Sequence, residues 1–368
     1  MSDRGPLFND NKLKLGTFSA NCSSGMAVTQ VEDRWDNSWE NNIDLVQQCD
    51  EAGIEFMLPI ARWIGYGGAT DFHGNVLETV CWAAGLLAHS KNIQVFATVH
   101  TAYNHPIVTA KQLATIDQLG NGRVGLNVVA GWNKPEYEAF GVELPEAHED
   151  RYAFAQEWFD YVQKIWKEDE AFDWDGKFFN GKGVYGKPRP AQSRVPILNA
   201  AGSEEGRKFA MRNADFLFTP VFDFDHAEAT VKDIADKSAS AGRDVGVFSF
   251  VTVVCRPTQK EADEFMKYYA DTNADWEAVD NLMTLQGMHA QSFTAEALAG
   301  LKPRFASGHG AWPLVGTPDV IADGLEKLSN TGIRGITLAF VDYAKEFPYF
   351  RQEVLPRLEK KGLRKPVT

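Results

Sequence analysis

The chain has 368 residues, with 37 Lys and Arg against 50 Asp and Glu, a formal net charge of −13. That balance excludes the basic stripe with which a nucleic-acid binder displaces counterions. With 44% hydrophobic and 24% charged residues, the composition is that of a globular protein with a large core, and long disordered tracts are excluded as well.

Taken from the N-terminus, short β-branched and aromatic runs alternate with amphipathic stretches. Strands are predicted at 13–20, 54–60, 93–99, 123–130, 196–200, 216–219, 245–254 and 335–341. Helices are predicted between them at 41–52, 77–89, 106–118, 150–166, 204–212, 226–241, 259–270 and 318–331. In the fourth helix Tyr152, Ala155, Phe159, Val162 and Trp166 recur at three- and four-residue spacing, one buried face of a helix. Gly53 and Gly332 follow two of the helices, where a left-handed residue ends the turn. Eight strand–helix pairs predict one α/β domain over residues 1–368, a closed (β/α)₈ TIM barrel rather than an open sheet of about five or six strands. Two stretches are too long for plain loops, 131–194 after the fourth strand and 271–313 after the seventh. Such excursions build active-site walls or lids at the C-terminal ends of barrel strands.

No segment reaches about 18 uninterrupted apolar residues, and the polar lead at 1–14 lacks a signal-peptide core, so a cytoplasmic protein with no membrane partner is expected. Cys22, Cys49, Cys81 and Cys255 are scattered without metal-ligand spacing and read as buried free thiols. His100 and His105 have no carboxylate at ligand spacing, so no metal site is expected.

Asn127 is a lone amide in an apolar strand. A ligand with an amide-like edge or a core water would satisfy it equally well, and leaving it unmet costs about 1–3 kcal/mol. After the fifth strand, Gly202 and Ser203 lead into a helix; the pair suits a phosphate at the positive helix end, and Ser203 suits a plain N-cap. Trp63, Tyr66, Trp132, Phe222 and Trp312 fall near strand ends and are candidate pocket walls, with ordinary packing as their other role.

The stretch 110–132, AKQLATIDQLGNGRVGLNVVAGW, together with HEDRY at 148–152, AGS at 201–203 and LVGTP at 314–318, resembles the bacterial-luciferase-like family of flavin-dependent monooxygenases. The motifs occur in the family's order over nearly the whole chain. GWNKPEYE at 131–138 and GYGG at 65–68 are similar to the pyrimidine-oxidising branch; GMAVT at 25–29 and VLP at 354–356 are similar to the sulfone-oxidising branch. The resemblance implies FMN, bound as FMNH2, and O2, with a small-molecule substrate oxidised by way of a flavin peroxide. It implies flavin contacts from Ala61, Arg62, Thr98, Asn127, Glu136, Arg151, Tyr152, Gly202 and Ser203, with the phosphate held by Tyr152 and Ser203. Asn127 and Thr98 would shape the O2 pocket as the catalytic pair. It further implies a separate NAD(P)H-dependent flavin reductase and a homodimer or homotetramer. Ring-opening oxygenation of a pyrimidine such as uracil is the first expectation. Oxidation of a dialkyl sulfone or alkanesulfonate and hydride transfer to a deazaflavin are the alternatives.

Overall fold

In the computed structural model, which describes residues 5–287 and 295–367, eleven strands occur in chain order. They are β1 (Lys14–Phe18), β2 (Phe56–Leu58), β3 (Gln94–His100), β4 (Val124–Val129), β5 (Phe172–Asp175), β6 (Asn180–Val184), β7 (Ile197–Ala200), β8 (Phe216–Phe218), β9 (Gly246–Cys255), β10 (Trp312–Gly316) and β11 (Gly335–Ala339). Eight of them pair in parallel in the order β1-β2-β3-β4-β7-β8-β9-β11, and β11 returns to β1, so the sheet closes into the expected barrel.

Closure sends every second side chain inward. Two layers of phenylalanine fill the interior: Phe56, Phe96, Phe216 and Phe248 below, Phe18, Phe218 and Phe250 above. Glycines on neighbouring strands make room for the lower layer. A Cβ on Gly16 would lie 2.7 Å from the Phe56 ring, one on Gly125 2.5 Å from Phe96, and one on Gly335 2.6 Å from Phe248.

Helices α1 (Trp39–Glu51), α2 (Thr79–Ala88) and α3 (Pro106–Leu119) follow the first three strands. Between β4 and β7 come α4 (Lys134–Ala139), α5 (His148–Lys167) and the antiparallel hairpin β5–β6. The hairpin is an element the helix-centred sequence reading passed over, although Phe172 and Trp174 alternate there with Asp173 and Asp175. Its turn is held by Glu157, whose carboxylate accepts from the backbone N–H groups of Lys177, Phe178 and Phe179. The wall helices continue with α6 (Glu204–Asn213), α7 (Phe224–Ser240) and α8 (Gln259–Lys267).

The excursion expected at 271–313 begins in a π-helical turn, Tyr268–Thr272, and contains α9 (Trp276–Leu285) and α10 (Ala295–Gly308); residues 288–294 within it lie outside those described. Tyr269, Leu282, Met283 and Phe305 form its own apolar cluster with Val28, Tyr66 and Phe72, which seats it on the barrel mouth. β10 then pairs with the C-terminal half of β9, from Val251 to Cys255. Pro313 hides this strand from sequence reading, because a proline argues against a central strand and is tolerated at an edge. The barrel is completed by α11 (Pro318–Asn330), followed after β11 by α12 (Tyr343–Glu353) and α13 (Leu355–Lys360).

Cys22, Cys49 and Cys255 are buried, whereas Cys81 is exposed on α2, which corrects the expectation for that residue: the apolar face of α2 is carried by Val80, Ala83, Leu86 and Leu87. Among the described residues no helix is long and apolar enough to cross a membrane.

The fit of glycine against ring gives a direct test. Gly125→Ala should destabilise the fold by about 1–3 kcal/mol in urea unfolding, because the added methyl overpacks a filled layer. Gly300→Ala, where a Cβ meets nothing within 4 Å, should be neutral or slightly stabilising.

Candidate active site

Parallel register sets Thr98 of β3 opposite Asn127 of β4, one pair above the Phe96–Gly125 layer. Asn127 donates from Nδ2 to Thr98 Oγ1 at 3.1 Å, and Thr98 donates to the Pro59 carbonyl at 2.7 Å. The hydroxyl is thereby committed on both sides. Among the described residues Asn127 Oδ1 is buried without a partner, an acceptor available to a bound molecule.

Beside this pair lies a buried ion pair. Arg62, in the loop after β2, meets Glu136 of α4 at 2.9 Å, with both side chains at least 96% covered. Glu136 Oε1 also accepts from the Trp63 N–H at 2.8 Å. The guanidinium lies over the rings of Tyr66 at 5.0 Å and Trp132 at 5.1 Å. Burial opposes its charge, but Tyr66 and Glu136 outweigh burial and leave its pKa raised.

Three histidines surround this centre. His100 continues the inward face of β3 two residues beyond Thr98, and burial, then the Arg62 charge, pushes its pKa down to about 3. His309 lies 3.4 Å from the Tyr66 hydroxyl through Nε2 and 3.4 Å from Gln286 through Nδ1. Burial pushes it to about 3 as well. His73 bonds the Gly25 carbonyl at 2.6 Å, and burial holds it well below the usual imidazole range. His73 and His309 both have φ of 58°, a left-handed backbone that non-glycine residues occupy at an energetic cost, often near functional sites.

At the end of β7, Ser203 caps α6 by accepting from the Gly206 N–H at 3.2 Å. The Tyr152 hydroxyl comes down on the same turn: a Cβ on Gly206 would lie 2.4 Å from it. Burial raises the Tyr152 phenol, and a hydrogen bond with Ser203 partly offsets that. A Cβ on Gly202 would meet nothing within 4 Å, so its backbone is open to a ligand. Among the described residues the Arg151 guanidinium makes two long hydrogen bonds, 3.4 Å to the Gly131 carbonyl and 3.3 Å to that of Glu146. It lines a cavity of about 420 Å³ with Tyr137, Phe154 and Lys177. Ala61, Arg62, Thr98 and His100 line a smaller recess of about 40 Å³.

The structure therefore brings Ala61, Arg62, Thr98, Asn127 and Glu136 together at the ends of β2 to β4, and Tyr152 and Ser203 together at the end of β7. Of the candidate walls, Tyr66 and Trp132 flank Arg62. Trp63 is 49% exposed and packs edge-on against Phe140. Phe222 is 44% exposed beneath the Arg304 guanidinium, and Trp312 packs on Phe224. Sequence reading weighed His100 only as a metal ligand and missed Tyr103, His73, Gln286 and His309. For His309 the only local signal is its place between Gly308 and Gly310.

The buried polar atoms left unpaired here include the donors Arg62 Nε, Arg151 Nε and Tyr103 Oη and the acceptors Asn127 Oδ1 and Glu136 Oε2. Each would cost about 1–3 kcal/mol if nothing met it. The set fits a heteroaromatic ring that offers both N–H and C=O groups, and the Tyr152–Ser203 turn fits the phosphate such a cofactor carries. Among the described residues no group of three or more His, Cys, Asp or Glu is placed to hold a metal.

Two outcomes follow. Glu136→Ala should destabilise the protein by about 3–5 kcal/mol in chemical denaturation, since it strands a buried guanidinium, while Arg62→Met with Glu136→Leu should recover part of that loss. His100 is neutral in the fold and titrates near 6.5 when unfolded, so it favours unfolding as pH falls below about 6.5 towards 3. Stability measured against pH should fall over that window, and His100→Gln should make the fall shallower by at most about 1.4 kcal/mol per pH unit.

Comparison with known proteins places the whole chain among relatives. A dimethylsulfone monooxygenase of Pseudomonas fluorescens, named as FMNH2-dependent, is 31% identical over 94% of both chains. A pyrimidine monooxygenase of Allorhizobium ampelinum is 29% identical over 95% of this chain and 97% of its own. A crystal structure of riboflavin lyase, solved with modified FMN and riboflavin, superposes with a TM-score of 0.86 at 22% identity, over 96% of this chain and 93% of that one. The family model described as luciferase-like monooxygenase matches residues 13–335, and the chain belongs to that family.

Proposed function

We propose that the chain is the oxygenating half of a two-component system. It binds FMNH2 delivered by a separate NAD(P)H-dependent flavin reductase and transfers oxygen from O2 to a small uncharged ring of the pyrimidine type. The observation that carries this reading is the pair of unmet acceptors, Asn127 Oδ1 and Glu136 Oε2, beside the unmet donors of Arg62 and Tyr103. The pyrimidine edge of the isoalloxazine ring, with its alternating N–H and C=O groups, answers both kinds.

In this reading Tyr152, Ser203, Arg151 and the backbone at Gly202 hold the FMN phosphate, and Ala61, Arg62, Glu136 and Asn127 hold the ring. The cofactor supplies the electrons that activate O2. Thr98 fixes the Asn127 amide, so its carbonyl oxygen has one settled position from which to accept. One of the two excursions, 131–194 or 271–313, excludes water from the mouth. Because Glu136 cancels the charge of Arg62, and His73, His100 and His309 are neutral near pH 7, the surroundings favour an uncharged substrate over a sulfonate. A dialkyl sulfone is the second reading. It is favoured by the relative of that name and offers acceptors alone, for the Tyr103 hydroxyl.

The test is O2 uptake with an FMN reductase, NADH, and uracil, thymine, dimethyl sulfone or methanesulfonate. Uracil-dependent uptake is expected, and Asn127→Ala should lower kcat/KM about 10- to 100-fold, the loss of one or two kcal/mol-scale hydrogen bonds. Uptake with dimethyl sulfone alone would favour the second reading, and none with any compound would sink both.

A further inference from the structure

We infer that His100 is a specificity-determining residue that hydrogen-bonds the polar edge of the substrate, held in place by a stack of aromatic rings; this rests on the oxygenase reading above. His100 is 3% exposed, and among the described residues its buried Nδ1 has no hydrogen-bond partner. A buried ring nitrogen normally finds a partner. The ring instead lines the recess between Ala61, Arg62, Thr98 and the segment from Val76 to Val80 that opens α2.

Its position is fixed by rings rather than by hydrogen bonds. Tyr103 stacks on it at 5.2 Å and 23°, Phe140 of the α4 corner stacks on Tyr103 at 4.4 Å and 6°, and Tyr137 meets Tyr103 edge-on at 5.0 Å. The Tyr103 hydroxyl is itself buried and, among the described residues, unpaired. Imidazole and phenol thus form a small polar patch beside the Thr98–Asn127 pair.

The neighbourhood also decides which form of the ring acts. Burial disfavours the charged ring, and the Arg62 charge acts in the same direction. A neutral imidazole carries one donor and one acceptor, which suits adjoining N–H and C=O groups on an uncharged ring or a single sulfone oxygen. His105, five residues on, is spent differently: its Nδ1 accepts from the Ile107 N–H and caps α3.

The experiment compares wild type, His100→Gln and His100→Phe, each loaded with FMN. Flavin affinity is read by fluorescence quenching, binding of uracil and of dimethyl sulfone by calorimetry, and KM and kcat by reductase-coupled O2 uptake. Wild type should bind one of the two compounds. His100→Phe should weaken that compound about 10- to 100-fold, mainly in KM, because the substrate's polar edge is left unpaired, and His100→Gln should recover most of the loss. FMN affinity should stay within about twofold in both variants, since a substrate contact adds nothing to flavin binding. A parallel loss of FMN affinity, an unchanged substrate affinity in His100→Phe, or no binding of either compound to wild type would overturn the inference. Binding without compound-dependent O2 uptake would defeat the oxygenase reading alone, and the calorimetry would still decide the role of His100.

Discussion

Everything in this molecule depends on the two-residue alternation of side chains along a closed parallel sheet. Closure leaves no free edge on the eight barrel strands and gives each one an inside. On β3 and β4 that inside reads upward from Phe96 and Gly125 to Thr98 and Asn127, and then to His100 and Val129. One register thus carries both the packed floor and the polar mouth. A slip by one residue would exchange Asn127 for Val128 and leave the mouth without its amide.

Above the floor, electrostatics takes over from packing. Burying a guanidinium is tolerable only when a carboxylate and aromatic faces surround it. Glu136, Tyr66 and Trp132 supply these for Arg62. The same ion pair ties the loop after β2 to α4, and through the Trp63 N–H it fixes the direction in which that loop leaves the strand. The balanced charge and the neutral histidines leave a mouth that is polar without a strong field, unlike sites that gather ions by long-range attraction.

Much of this was legible in the sequence. The barrel strands carry β-branched and aromatic runs that survive as strands within a few residues of the expected limits, and the lone amide of Asn127 stood out because its neighbours are apolar. Contacts between distant segments were not legible. Arg62 and Glu136 are 74 residues apart, and nothing local says that a residue assigned to the flavin also needs the other to be buried at all. His309 reaches Tyr66 across 243 residues from a backbone conformation that the amino-acid pattern does not announce. β10 was missed because Pro313 obeys an edge-strand rule that only the sheet's topology brings into play.

The glycine–phenylalanine contacts of the lower layer have a consequence for how such a barrel diversifies. Each ring of Phe56, Phe96 and Phe248 occupies the space where a neighbouring strand has no side chain, so bulk on one strand and its lack on the next form a single inherited unit. Change at either member alone is obstructed, whereas paired exchange conserves volume. The interior can drift only by such joint replacements, and new chemistry on this scaffold has its freer path along the upper rim, where one side chain can vary without asking its neighbour to move.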